Sequence, residues 1–214
     1  MKRFLKSILL FCGLSLSLTA AFPVFGQKTD ERIDINKKPL QDLAAYVQVQ
    51  NPDWSKAFSI TIGGILTKDG RFEQKLTPIA RADGDPVLIN IAKRYALALS
   101  DSGYLQYLNE SNAQIVKLSA AQTSENFSAS IVLEKETPTR AKTVATLFNM
   151  LISRVLSNDQ SGEKKLGETE KMILSNTKVA AQEKNVTINV SLPASDFQQI
   201  VKRELEKAKT NNGE

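Results

Sequence analysis

Two stretches of this chain change hydrophobic period from two to 3.6, and each change falls at a proline. In the first, Phe58, Ile60, Ile62, Gly64 and Leu66 alternate with Ser59, Thr61 and Gly63, the pattern of a strand with one buried face. Asp85-Pro86 then opens a segment in which Leu88, Ile91, Ala92, Tyr95 and Leu99 share one helical face. Asp85 is placed to cap the exposed amides, and Pro86 fits the first helical position, where a missing N–H costs nothing. In the second stretch Phe127, Ala129, Ile131 and Leu133 alternate with Ser128 and Ser130. Thr137-Pro138 then opens the longest stripe, from Ala141 through Val144, Ala145, Phe148, Leu151 and Ile152 to Val155. Locally paired strands, each pair followed by an amphipathic helix, predict an α+β fold: an antiparallel sheet of about five strands with helices mainly on one face. The two blocks share a layout without matching residue for residue.

The remaining segments fit around this frame. Leu40, Leu43, Ala44 and Val47 form a short helical face that Asn51-Pro52 ends. Lys68-Asp69-Gly70 supplies a tight turn, and a second strand runs from Arg71 to about Ala80, with Pro78 marking an edge or a bulge. Residues 113–121 and 126–134 form the next hairpin around Thr123-Ser124-Glu125. A weaker helix reaches about Thr177, a strand carries Val186, Ile188, Val190 and Leu192, and Ser195 caps a final helix with Phe197, Ile200, Val201 and Leu205 inward.

The N-terminus carries an address. Lys2, Arg3 and Lys6 precede an apolar run of 16 residues, Ser7 to Phe22, and then Pro23 and small residues, the build of a secretory signal peptide. At 1.5 Å per residue this run spans about 24 Å, short of the ~30 Å hydrocarbon core. Val24 and Gly26 suit cleavage after Gly26; Ala21 is the alternative site. Cys12 lies mid-run behind Phe11, which does not suit lipidation. The expected organisation is a signal peptide over 1–26, an N-terminal flank with a short helix over 27–57, one domain over 58–209 and a tail over 210–214. The expected location is the periplasm or the exterior of a bacterial cell. After cleavage no cysteine remains, so no disulfide assists the core.

Composition narrows the chemistry. The chain has no His, which excludes Ser-His-Asp triads, Cys-His dyads and imidazole metal ligands; neither a cofactor nor a transition metal is expected. From Gln27 onward 25 basic residues face 23 acidic ones, no footprint for nucleic acid. Asp101-Ser102-Gly103 matches the aspartic-protease tripeptide but follows a helix, where a terminating turn explains it. Ser175 and Lys178, like Ser161 and Lys164, fit the Ser-x-x-Lys spacing of Lys-assisted serine hydrolases without its partner motifs. Asp69, Asp83 and Asp85 are oxygen donors for calcium without the closing Glu of a calcium loop. Gly63-Gly64 reads as a bulge or a close backbone approach, and Trp54 as a cover for the sheet edge.

Residues 58–121 resemble the C-terminal domain of the TonB energy-transducer family. The resemblance rests on Gly64 to Arg71, with its Asp69-Gly70-Arg71 turn, on the small polar turn Arg81-Ala82-Asp83-Gly84-Asp85, on the Ala-rich helix with Ala92, Ala96 and Ala98, and on a third strand, Gln114 to Ala121. It does not extend to that family's His-bearing anchor or Pro-rich spacer. The resemblance implies a partner-binding module that pairs a sheet edge with an extended peptide. That edge is either the Gln114–Ala121 strand or the one carrying Arg71, Glu73, Lys75 and Thr77. The expected function is therefore an exported envelope protein that binds an extended peptide or an envelope protein partner and catalyses nothing. The competing expectations are a lipid or small-molecule carrier, which requires an apolar cavity of several hundred Å3, and a hydrolase using Ser-Lys or paired carboxylates.

Overall fold

The computed structural model describes residues 36, 38–67, 69–73, 79–105, 114–163 and 165–211. The elements in chain order are α1 (Lys38–Gln50), β1 (Phe58–Leu66), β2 (Ile79–Gly84), α2 (Pro86–Asp101), β3 (Gln114–Gln122), β4 (Asn126–Glu134), α3 (Pro138–Ser161), α4 (Glu168–Ser175), β5 (Thr177–Gln182), β6 (Asn185–Pro193) and α5 (Ala194–Asn211). The strands form one antiparallel sheet in the order β2-β1-β3-β4-β6-β5.

The fold is α+β with six strands, where the sequence suggests about five. The added strand is β5. Only Val179 and Ala181 supply its inward apolar positions, too short an alternation to stand apart from the preceding helix. Its turn to β6, Glu183-Lys184, holds Glu183 at φ 51 without glycine. With β5 in place the described residues from Phe58 onward form three hairpin–helix units, and each unit's first helix starts at or just after a proline: Pro86, Pro138 and Pro193. A hairpin alone leaves its apolar face wet, and helices cover it: α2 lies over β1 of its own hairpin, whereas α3 lies over the following hairpin, β5 and β6.

Register puts Phe58, Ile60, Ile62 and Leu66 of β1 in line with the even residues of β3 and β6 and the odd residues of β4 and β5. This is the buried face. Helix α2 packs over β1, α3 over β5 and β6, and α5 over β4 and β6. Leu40, Leu43 and Val47 of α1 enter the same core against α2, so the helix of the segment read as a flank packs into the domain's core. The opposite face carries Ser59, Thr61, Ser119, Ser130, Thr187 and Asn189, all half-buried, and Thr61 and Ser119 share a 3.0 Å hydrogen bond there.

Three local expectations need correction. The second strand does not run continuously from Arg71. Phe72 forms a single bridge with Leu66, and β2 starts at Ile79 and runs through Arg81-Ala82-Asp83, residues that resemble a turn in sequence. Partnership with β1 overrides their polarity, and a bulge at Thr61/Ile62 absorbs the register slip. Ser195 lies inside the first turn of α5, which begins at Ala194. Trp54 does not cover a sheet edge; its ring meets Phe197 edge-on at 6.0 Å, and its carbonyl accepts from Gln122 and Gln198. Gly64 makes the expected close approach: the Phe72 ring occupies the space that a Cβ there would need, 2.6 Å from Cδ1. The segment 1–26 lies outside the described residues.

Candidate functional site

An antiparallel sheet exposes main-chain donors and acceptors only at its edges, and this one ends in β5 on one side and β2 on the other. The edge at β5 is blunted. Asn149 of α3 reaches over and donates through Nδ2 to the Val179 carbonyl at 3.0 Å, and Lys178 is exposed beside it. Strand β3 is not an edge; β1 and β4 flank it along almost its whole length.

At β2 the hydrogen-bonding phase can be read from its end. The Asp85 amide donates to the Ala57 carbonyl at 2.9 Å, in line with the Phe58–Gly84, Ser59–Asp83 and Ile60–Ala82 register. Antiparallel ladders alternate, so Asp83 faces β1 with its main chain while Ala82 and Gly84 turn theirs outward. Side chains alternate as well. Arg81 and Asp83 share the open face with Thr61 and Ser59 and are exposed, and neither forms an ion pair among the described residues. The strand stops where Gly84 turns to φ 98 and Pro86 begins α2. Asp85 accepts from the amides of Val87 and Leu88 at 3.0 Å each and from Lys56 at 3.2 Å. These bonds, the Leu88 amide foremost, hold its carboxyl below the usual aspartate value.

Of the residues expected at this edge, Arg71 and Glu73 flank the Phe72 bridge beside the end of β1. The Arg71 carbonyl accepts from the Thr67 amide, and the Glu73 amide donates to Ile65. Arg71 also pairs with Asp69 at 3.3 Å, so its charge serves its own turn. Lys75 and Thr77 lie outside the described residues. Arg81 and Asp83 are the edge residues that sequence reasoning missed. The signal was present as a charge–alanine–charge alternation of period two, obscured by Gly84 and Pro86 just downstream.

Among the described residues the other candidate chemistries do not assemble; Lys164, the partner of Ser161 in the second Ser-x-x-Lys match, lies outside them. Asp101 ends α2, and the buried Ser102 donates to the Leu99 carbonyl at 2.8 Å, a helix-terminating turn. Ser175 and Lys178 are exposed at the end of α4 and on β5. Asp69 is bound to Thr67 and Arg71, Asp83 lies on the strand and Asp85 caps a helix; no group of three metal-ligating side chains occurs among the described residues. No described helix is long and apolar enough to cross a membrane. Between α2 and the central strands lies an apolar cavity of about 50 Å3, bordered by Ile62, Tyr95, Leu99, Leu118, Ile131 and Ile173.

No protein-family model matches the chain, and comparison with curated proteins and with solved structures returns no match.

Proposed function

We propose that this chain is an exported, non-catalytic binding protein of the bacterial envelope that takes an extended strand of its partner along β2. The observation that carries the reading is the contrast between the edges: on β5 the outward Val179 carbonyl is taken by Asn149, whereas β2 ends the sheet with the main chain of Ala82 and Gly84 directed outward. The basic, apolar and proline-terminated start of the sequence supports export. The resemblance of residues 58–121 to the TonB C-terminal domain supports the binding mode, strand addition at an edge. The cavity beneath α2, about 50 Å3, is far below the ~300–1,000 Å3 typical of small-molecule sites and weighs against the carrier reading.

Amide exchange with and without envelope extract tests the proposal. New protection at Ala82 and Gly84 is the expected result; binding that leaves every strand unchanged moves the contact elsewhere and defeats it. Export is checked separately, by an N-terminus near Gln27 on protein recovered outside the cytoplasm. An intact Met1 on a membrane-bound form contradicts it.

A further inference from the structure

We infer that the strand best matched to β2 is the β2 of a second copy of this chain, which closes the edge as a two-fold dimer. The inference rests on the edge reading above and specifies its occupant. The residues of β2 that are not charged in Ala80–Gly84 are alanine and glycine, so a second backbone can approach without a side-chain obstruction. A two-fold axis at Ala82 lets the outward amide of Ala82 donate to the Ala82 carbonyl of the second copy, and the reverse, and sets Ala80 opposite Gly84 of the other chain. On either side of the hydrogen-bonded Ala82 pair, Arg81 falls opposite Asp83 of the second copy, and Asp83 opposite its Arg81. These are non-hydrogen-bonded positions, where cross-strand side chains lie closest.

Charge also selects the register. A shift of two residues keeps the open faces of both sheets on the same side, but it sets either Arg81 against Arg81 or Asp83 against Asp83. Only the register centred on Ala82 pairs every charge with its opposite. The φ of 98 at Gly84 and the proline at 86 limit the pairing at one end, and the bulge opposite Thr61/Ile62 limits it at the other. Five paired residues make a small interface, so the dimer is weak and concentration-dependent. Its exposed ion pairs make it sensitive to salt.

Sedimentation velocity of the purified full chain across a wide concentration range, together with amide exchange at low and high concentration, tests this. The expected result is a monomer–dimer equilibrium that salt weakens, with protection at Ala82 and Gly84 rising with concentration. Arg81→Asp alone, or Asp83→Arg alone, replaces two attractions with two repulsions and weakens dimerisation on the order of tenfold. Mixing these two variants restores association, as does the double exchange Arg81→Asp/Asp83→Arg. Both side chains are exposed, so the variants are expected to keep the parent's urea midpoint, and the double exchange preserves composition if one single variant folds poorly. Three results overturn the inference: a monomer at every concentration, single variants that dimerise like the parent, or a dimer without protection in β2. A monomer whose β2 amides become protected by envelope extract overturns self-pairing and leaves the edge reading standing; a monomer that gains no such protection defeats both.

Discussion

Asp159 shows how a single charged side chain joins distant parts of the chain. It ends the buried side of α3, is 7% exposed, and accepts from the Leu166 amide at 2.8 Å and from Lys171 at 2.9 Å. These bonds, led by the Leu166 amide, hold its carboxyl below the ordinary value of 3.8. A lowered carboxyl stabilises the fold above the unfolded value and loses that contribution as pH falls through the folded value. The expected outcome is that Asp159→Asn lowers the urea midpoint at neutral pH, and that the gap to the parent narrows as pH drops below 3.8. A gap that stays constant contradicts the linkage. Gly64 behaves differently. Alanine there meets the Phe72 ring at 2.6 Å, and overpacking of this kind costs about 1–3 kcal/mol. Phe72→Leu in the same chain recovers part of that loss, which urea unfolding of the parent and the two variants measures. Sequence alone pointed to Gly63-Gly64 as a bulge or a close backbone approach, but neither to Gly64 in particular nor to Phe72 as the neighbour.

Among the elements, the two sheet edges are managed in opposite ways. The Asn149 amide satisfies the Val179 carbonyl on β5. Asn149→Ala is expected to cost about 0.5–1.5 kcal/mol and to raise the exchange rate along β5, with no change at β2. Equal protection of β5 in both proteins contradicts that role. The alternations of β1 and β4 and the helix starts at Pro86 and Pro138 were legible in sequence because pattern and proline coincided. The β2 and β5 strands were not. Each has six residues and few apolar ones, and each is a strand because a longer neighbour offers it a ladder. The edge residues Arg81 and Asp83 were therefore read as part of a turn, and the candidate site shifted from Arg71–Thr77 towards the end of β2.

At the scale of the molecule, α5 closes the layer over the sheet. Phe197 stacks on Phe127 with centroids 3.7 Å apart and planes 3° from parallel, and meets Trp54 edge-on. Phe197 is 1% exposed, and Phe197→Ala is expected to cost about 3–5 kcal/mol. Trp54 is the chain's single tryptophan, so the same substitution shifts the emission of the folded protein to the red. Unchanged emission with unchanged stability contradicts the closing role. The small cavity under α2 belongs to this same layer. It lies over the central strands, between residues of α2 and Ile173 of α4.

By itself the sequence determined the fold class, the starts of α2 and α3 and the buried faces of β1, β4 and β6. All three follow from local rules: period, capping and the fixed φ of proline act within a few residues. Tertiary structure alone decided the order of the strands, the existence of β2 and β5, and which main-chain groups are left at an edge. Those depend on contacts between residues far apart in the chain. Phe58 pairs with both Gly84 and Gln122, and no local pattern records that a strand has a neighbour on one side and solvent on the other. A polar hexapeptide such as Ile79–Gly84 becomes a strand because β1 supplies hydrogen-bonding partners that its own side chains do not encode.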